Sequence, residues 1–144
     1  MQLSGIRVVD LSRIVSGPFC SMFLADMGAE VIKVEGVDDG DPVRKQGIVR
    51  DGFSWYFASF NRNKRSLTLD LRSADGKAAL RKLIATADVV LDNFRPGVME
   101  KIGLARAGAS PSAPLTLMKP LIACAMKSND GRSRYGPSMP KPVM

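Results

Sequence analysis

Histidine is absent from the 144 residues of this sequence. Its absence excludes the Ser-His-Asp triad, the Cys-His pair and the usual zinc sites built on imidazole. Cysteine is scarce, because Cys20 and Cys124 are the only two and lie far apart, outside any CxxC spacing. Two isolated thiols suit a reducing compartment better than a disulfide framework. We therefore expect no metal site, no covalently bound cofactor and no redox chemistry.

Long apolar runs are also missing. No run approaches the roughly 20 residues that a membrane helix needs. The first apolar stretch, in MQLSGIRVVDLS, contains an acid and a base, which is unlike a secretory signal. The composition, with 45% hydrophobic and 24% charged residues, is ordinary for a soluble globular protein. We expect a cytoplasmic protein that has no membrane partner.

Positive charge is distributed unevenly along the chain. The net charge is +7, yet residues 1–104 hold 15 bases and 13 acids, whereas residues 105–144 hold 6 bases and 1 acid. The second segment also holds six of the nine prolines. This change in composition predicts a folded unit over 1–104 and a divergent, basic, poorly ordered tail over 105–144, in which LTLM and LIACAM are at most short strands.

Short apolar runs alternate with helical patterns in the first region. The predicted strands are IRVVDL (6–11), EVIKVE (30–35), SLTLDL (66–71) and DVVLDNF (88–94). The predicted helices begin near Pro18 and end before Gly28, run from a Ser73 cap through Ala87, and cover PGVMEKI (96–102) before Gly103. The stretch around Trp55 is less regular. Strands alternating with helices predict an α/β fold, with a parallel sheet covered by helices on both faces.

A ligand crevice in such a sheet lies at the carboxyl ends of the strands, where the strand order reverses. Three segments are expected there: residues 12–18, 35–41 and 93–97. Both VSGP and FRPG place glycine and proline at a helix start, where free N–H groups accept anions. The commoner role of such residues is helix capping alone.

Two nucleotide-binding motifs can be compared with this crevice. A nicotinamide site needs GxGxxG after the first strand, but IVSGPFCS holds one glycine. Glu35 does end the second strand, near the place of a ribose-binding acid in a dinucleotide fold. The phosphate-binding motif GxxxxGK[ST] is absent. The missing glycines disfavour the nicotinamide alternative.

Four bases lie close together in NRNKRSLTLDLRS (61–73), at Arg62, Lys64, Arg65 and Arg72. The ordinary explanation is a solvated strand edge, although a ligand with several phosphates would use them. Nucleic acid is not favoured as a partner, because no aromatic residue beyond Phe60 interleaves with the bases and no recognised binding motif accompanies them.

Two long stretches carry a specific resemblance. LSGIRVVDLSRIVSGPFCSMFLADMGAEVIKVE (3–35) and FNRNKRSLTLDLRSADGKAALRKLIATADVVLDNFRPGVMEKIGL (60–104) closely resemble the N-terminal part of the class III coenzyme A transferases. That family includes formyl-CoA transferase, carnitine CoA-transferase and the related α-methylacyl-CoA racemase. The resemblance implies a Rossmann-like, CoA-binding domain, incomplete in this chain, and an interlocked homodimer in full-length relatives.

The resemblance also implies a set of CoA-contacting residues. Val15 and Ser16 would line the site near the thioester, and Asn93 and Phe94 would flank the CoA. Leu69 and Arg72 would contact its nucleotide half, and Lys101 would stand near the phosphates. The bases of NRNKRSLTLDLRS are expected to help create a positive field for this 3′-phospho-ADP carrier, with Arg72 as the direct contact. Gly36 stands where some family members have an arginine, so that contact is missing here.

The reaction implied by the resemblance moves CoA between an acyl-CoA and a carboxylic acid. An aspartate attacks the acyl-CoA, CoA is exchanged through an enzyme thioester, and the acceptor acid takes the CoA. That aspartate lies beyond the resembling segment, and Asp130 has no matching surroundings. We hypothesise a truncated or frameshifted CoA-transferase whose family-like sequence ends near Leu104. The alternatives are a racemase-type fragment, although that branch uses a histidine, and a non-catalytic CoA-binding remnant.

Overall fold

A computed structural model describes residues 1–95 and 98–104. The strands in chain order are β1 Arg7–Asp10, β2 Glu30–Glu35, β3 Val49–Arg50, β4 Phe53–Ser54, β5 Lys64–Thr68 and β6 Val89–Leu91. The helices are α1 Ser16–Asp26, α2 Trp55–Asn61, α3 Ala74–Ile84 and α4 Val98–Lys101, with a 3₁₀ helix at Pro42–Lys45. The predictions for Pro96, for LTLM and LIACAM, and for the tail fall outside the described residues.

The main sheet contains four parallel strands in the order β5-β2-β1-β6. The chain moves outward from β1 through β2 to β5 and then crosses to β6 on the other side of β1. The strand order therefore reverses between β1 and β6. In open parallel sheets this switch point opens a crevice at the carboxyl ends of the two strands.

Helices cover both faces of this sheet, as predicted. Val8 and Val9 are neighbours in β1 and point to opposite faces. Val9 belongs to a core with Leu80 of α3, whereas Val8 belongs to a second core with Ala25 of α1. The α/β fold with a parallel sheet is confirmed.

The ends of α1 agree with the sequence signals. Pro18 lies in its first turn, and Gly28 follows its last turn with a φ of 101°. Gly17 is needed for another reason, because a Cβ atom there would lie 2.2 Å from the Cβ of Ser12. Helix α1 therefore begins in close contact with the loop that leaves β1.

Several predicted bounds were wrong. The strand placed at 66–71 is β5, Lys64–Thr68, because its pairing with β2 starts at Lys64 and ends at Thr68. Helix α3 has the predicted Ser73 cap, with the Gly76 N–H donating to Ser73 Oγ, but it ends at Ile84 and not at Ala87. Beyond that end, the Thr86 hydroxyl donates to the Leu83 carbonyl. This local bond competes with continuation of the helix.

The other differences concern the hairpin region and the last strand. The stretch around Trp55 forms the small β3-β4 hairpin and helix α2, which the sequence pattern did not indicate. Ser54 caps α2 by accepting a hydrogen bond from the Phe57 N–H. The strand predicted at 88–94 is limited to Val89–Leu91. Its shortness leaves Asp92 to Arg95 as a loop at the crevice.

Candidate functional site

A cavity of about 480 Å³ lies at the switch point. Its walls come from the loop after β1, the loop after β5, the loop after β6 and helix α4. The lining residues are Arg13, Ile14, Leu71, Arg72, Asn93, Phe94, Arg95, Val98 and Ile102. Five of these are apolar, three are arginines and one is an asparagine. The surface combines positive charge with apolar walls.

Three of the residues assigned by resemblance, Arg72, Asn93 and Phe94, line this cavity together. The other four are not among the lining residues of the cavity. Val15 directly precedes α1, and Ser16 is the first residue of that helix. Leu69 packs against the core on the α3 face, and Lys101 is exposed on α4. Their contact with CoA stays a prediction.

Asn93 joins the two loops at the switch point. Its Oδ1 accepts a hydrogen bond from the Arg13 N–H at 2.9 Å, and its Nδ2 donates to the Arg13 carbonyl at 2.8 Å. The guanidinium of Arg13 lies 5.7 Å from the ring centroid of Phe94, within cation–π range. Asn93 therefore fixes the backbone of a residue that lines the cavity.

Arg72 approaches the cavity from the loop after β5. Its guanidinium pairs with Asp70 at 3.2 Å and with Asp38 at 2.8 Å, and these hydrogen bonds raise the pKa of Arg72. Both pairs are exposed, and exposed pairs of this kind are weak. An anionic ligand can therefore compete for this guanidinium.

The three bases of NRNKR (61–65) pair with acids that do not line the cavity. Arg62 pairs with Asp26 at 2.6 Å and Arg65 with Glu30 at 2.8 Å, so both fit the solvated-edge explanation. Lys64 does not fit it, because its side chain is only 2% exposed and pairs with the buried carboxylate of Asp10 at 3.2 Å. Of the four bases, Arg72 alone lines the cavity.

Lys64 belongs to a buried polar cluster beneath α1. Its ammonium also donates to the Pro18 carbonyl and to Asn61 Oδ1, both at 2.8 Å. Burial lowers the pKa of Lys64 to about 8, assisted by the charge of Lys33 and opposed by that of Asp10. Asp10 in turn accepts hydrogen bonds from the hydroxyls of Ser12 and Ser21.

Glu35 is not available to bind a ribose. Its carboxylate accepts hydrogen bonds from Arg44 at 2.7 Å through each oxygen, from the Asp41 N–H at 2.9 Å and from Ser66 Oγ at 2.9 Å. Burial opposes the charged form of Glu35, but these hydrogen bonds outweigh it and lower its pKa to about 2. The acid is an internal structural anchor, which removes the main support for the nicotinamide alternative.

Arg13, Ile14 and Arg95 lie in the segments 12–18 and 93–97 that the sequence predicts at the crevice, although no role was predicted for them individually; the third predicted segment, 35–41, contributes no lining residue. The available signal was position, because Arg13 and Ile14 follow the first predicted strand and Arg95 follows Asn93 and Phe94. Parallel strands bring their carboxyl ends to one edge, so all residues directly after them were candidates.

The chemistry that the cavity offers is binding. Among the described residues, no carboxylate or thiol lines it, so this part of the chain presents no nucleophile there. Residues 1–95 and 98–104 also contain no group of three or more acids and cysteines placed to hold a metal ion. None of the described helices is both long and apolar enough to cross a lipid bilayer.

Comparison with a protein family gives a match over most of the chain. The model of CoA-transferase family III matches residues 3–135. The matched range therefore continues past Leu104 into residues that the structure does not describe.

Individual relatives match over a smaller share of their own length. An acyl-CoA transferase of Fusarium pseudograminearum is 48% identical over 111 residues, which cover 71% of this chain and 24% of that protein. A succinyl-CoA–D-citramalate CoA-transferase of Chloroflexus aurantiacus is 47% identical over 103 residues, or 71% of this chain and 26% of the relative. The chain thus spans about a quarter of the length of the curated relatives that it matches.

Solved structures agree with the fold. A CAIB/BAIF family protein of Brucella suis matches with a TM-score of 0.65 and 44% identity, covering 70% of this chain and 28% of that one. Rv3272 of Mycobacterium tuberculosis, in an orthorhombic crystal form, matches with a TM-score of 0.66 and 44% identity over 73% of this chain and 28% of that chain.

Proposed function

Because the chain belongs to CoA-transferase family III, we propose that the crevice between β1 and β6 binds the coenzyme A part of an acyl-CoA. The complete reaction is transfer of CoA between an acyl-CoA thioester and a carboxylic acid. CoA is a substrate in this reaction, and no resident cofactor is required. We propose a cytoplasmic location, where acyl-CoA esters are available.

The observation that carries this proposal is the mixed character of the cavity. Arg13, Arg72 and Arg95 bring three guanidinium groups to walls that are otherwise mainly apolar. Guanidinium forks match phosphate oxygens, and apolar walls suit an adenine ring or a pantetheine arm. A carrier with a phosphorylated nucleotide and a long neutral arm combines both properties.

We assign the proposed contact residues to different parts of the CoA molecule. Arg72, with Leu69 beside it, would bind the nucleotide half, and Lys101 would supply a further base near the phosphates. Asn93 and Phe94 would flank the CoA. Val15 and Ser16, at the start of α1, would face the thioester end.

The chemical step would use a carboxylate nucleophile. An aspartate attacks the thioester carbonyl, which forms an acyl anhydride and releases the CoA thiolate; the thiolate then attacks the aspartyl carbonyl, which forms an enzyme thioester and releases the donor acid. The acceptor carboxylate attacks this thioester, which forms a second anhydride and releases the CoA thiolate; the thiolate then attacks the acceptor's acyl carbonyl, which gives the new acyl-CoA and the free aspartate. Since no carboxylate lines the cavity in residues 1–95 and 98–104, we propose that the aspartate comes from outside this part of the fold.

The second candidate is a chain that binds CoA without turning it over. It is supported by the same lack of a cavity carboxylate among the described residues. A racemase-type activity is less well supported, because that branch exchanges protons with a histidine and this sequence has none. An interlocked homodimer, as in full-length relatives, is part of the first candidate only.

Calorimetric titration with CoA, dephospho-CoA and pantetheine tests the binding site. We expect weak binding of CoA that weakens further with salt, weaker binding of dephospho-CoA, and none of pantetheine, because the arginines recognise phosphates. Equal binding of CoA and pantetheine, or no binding of CoA, would contradict the site.

A transfer assay separates the two candidates. The purified chain is incubated with succinyl-CoA and a panel of carboxylic acids, and new acyl-CoA esters are measured by mass spectrometry. Transfer at enzyme-like rates would support the first candidate and require a nucleophile within these 144 residues. Binding without transfer would support the second.

A further inference from the structure

The loop of residues 12–15, here called the crevice loop, connects β1 to α1 and is held by a buried ion pair as well as by Asn93. The ammonium of Lys33 donates to the Ser12 carbonyl at 2.9 Å. The carboxylate of Asp41 accepts from the Ile14 N–H at 3.1 and 3.3 Å. Lys33 lies on β2, and Asp41 caps the 3₁₀ helix Pro42–Lys45 that follows this strand.

Stability alone does not account for this ion pair. Lys33 Nζ and Asp41 Oδ2 are 2.8 Å apart, and their side chains are 2% and 0% exposed. Removing two charges from water is costly, and a well-packed apolar pair is often at least as stable. Each member also hydrogen-bonds the backbone of the crevice loop, and Asp41 accepts in addition from the Val43 N–H at 3.1 Å.

The conformation that the pair holds is a strained one. Ile14 has a φ of 69°, in the left-handed region that β-branched residues rarely adopt. Burial does not compensate for this strain, since Ile14 is 51% exposed. Such strain persists only where the surroundings impose it, and it is concentrated at functional sites. Here it places Ile14 and its neighbour Arg13 in the cavity wall.

We propose that Lys33 and Asp41 are positioning residues for the ligand site: their buried pair holds the crevice loop in the conformation that binds the phosphorylated carrier. The inference rests on the proposed function for the identity of that ligand. The pair contacts no ligand itself, and it acts through the backbone of residues 12 and 14.

The test changes both members of the pair together. A single substitution would leave an unpaired buried charge and destabilise the fold for that reason alone. The double variant Lys33→Met with Asp41→Asn removes both charges but keeps an oxygen that accepts from the Ile14 N–H. The double variant Lys33→Met with Asp41→Leu removes that acceptor as well.

Two quantities are measured on the full 144-residue chain: CoA affinity by calorimetry, and hydrogen exchange of the Ile14 amide by NMR. The leucine variant is expected to bind CoA about tenfold more weakly, because its loop spends only a fraction of the time in the competent conformation. Its Ile14 amide is expected to exchange faster by a similar factor. The asparagine variant is expected to keep most of the affinity and of the amide protection.

Val31→Ala controls for lost stability. Val31 is buried on β2 in the core on the α1 face and does not touch the crevice loop, so this variant is expected to unfold more readily but bind CoA like the wild type. Wild-type affinity in the leucine variant would overturn the positioning role, as would equal loss of affinity in Val31→Ala. Failure of the wild-type chain itself to bind CoA would instead overturn the proposed function, and the positioning role with it.

Discussion

Two groups of basic residues in this molecule have opposite surroundings. The first, Arg62, Lys64 and Arg65, is dense in sequence, yet each member pairs with an acid of α1, β1 or β2. The second, Arg13, Arg72 and Arg95, is scattered over three loops but lines one cavity. We call them the strand bases and the crevice arginines. Position after the end of a parallel strand thus indicates the cavity-lining bases better than local charge density does.

The difference arises from the place of β5 in the sheet. Among the strands of the described residues, β5 lies at the edge of the sheet beside β2 and carries Lys64 and Arg65, whereas Arg62 follows α2. The loops at the carboxyl ends of β1, β5 and β6 line the crevice, and the two acid partners of Arg72 there, Asp38 and Asp70, form exposed pairs. Of the strand bases, Lys64 is buried and serves folding, whereas Arg62 and Arg65 are exposed and, unlike the crevice arginines, do not line the cavity.

The largest expected effect is loss of stability on removing the buried strand base. Lys64→Met would leave the Asp10 carboxylate, 0% exposed, without its cation. Breaking a buried pair in this way costs about 3 kcal/mol of unfolding free energy, measured by urea denaturation. Arg65→Met is the matched control, because it removes a base with a 75% exposed side chain, and it is expected to change the urea midpoint little. Equal losses of unfolding free energy in the two variants would show that burial does not determine how much a strand base contributes to stability.

A second effect should appear on acidification. Hydrogen bonds from Arg44, Asp41 and Ser66 lower the pKa of Glu35 from 4.5 to about 2. An acid whose pKa is lower in the folded state than in the unfolded state stabilises the fold at pH values above its unfolded pKa. For Glu35 this stabilisation is lost as the pH falls from 4.5 towards 2. The full contribution is about 3 kcal/mol.

Glu35→Gln isolates this contribution. The variant should have a lower free energy of unfolding than the wild type at about pH 6. This difference should be smaller at about pH 3, because only the wild type loses the stabilisation from the Glu35 carboxylate on acidification. Urea midpoints at the two pH values measure the gap. A gap that stays constant between them would contradict the structural role of this acid.

The smallest expected effect concerns strain in the crevice loop. Ile14→Gly relieves the positive φ but adds backbone freedom to the unfolded chain, so unfolding free energy should change by less than about 1 kcal/mol. Ile48→Gly, at a position that is also exposed but has no positive φ, should lose more stability. Thermal unfolding of both variants measures the two losses of stability. A larger loss of stability for Ile14→Gly than for Ile48→Gly would argue against strain at Ile14.

Local signals predicted much of the fold. The β-branched runs located β1, β2 and β6, and the Ser73 cap located the start of α3, because these features depend on neighbours in sequence. Helix α2 was missed because its cap, Ser54, is fixed by bonds to the Val43 and Gln46 carbonyls, which only the folded chain brings there.

The candidate site was predictable in place but not in detail. Topology indicated the loops after β1 and β6, which line the cavity, and the segment 35–41, which does not; resemblance indicated Arg72, Asn93 and Phe94, which share the cavity. The ion pair of Asp10 with Lys64 was not predictable, because it joins residues 54 positions apart in sequence. A buried lysine also looks the same in sequence as a solvated one.

The central claim is that a crevice arginine, and not a strand base, binds the phosphates of the carrier. Calorimetric titration of CoA into the wild type, Arg72→Ala and Arg62→Ala, at low and high salt, tests it most directly. We expect about tenfold weaker binding and a smaller salt dependence for Arg72→Ala, with wild-type behaviour for Arg62→Ala. Binding that is indifferent to Arg72→Ala but weakened by Arg62→Ala would contradict it.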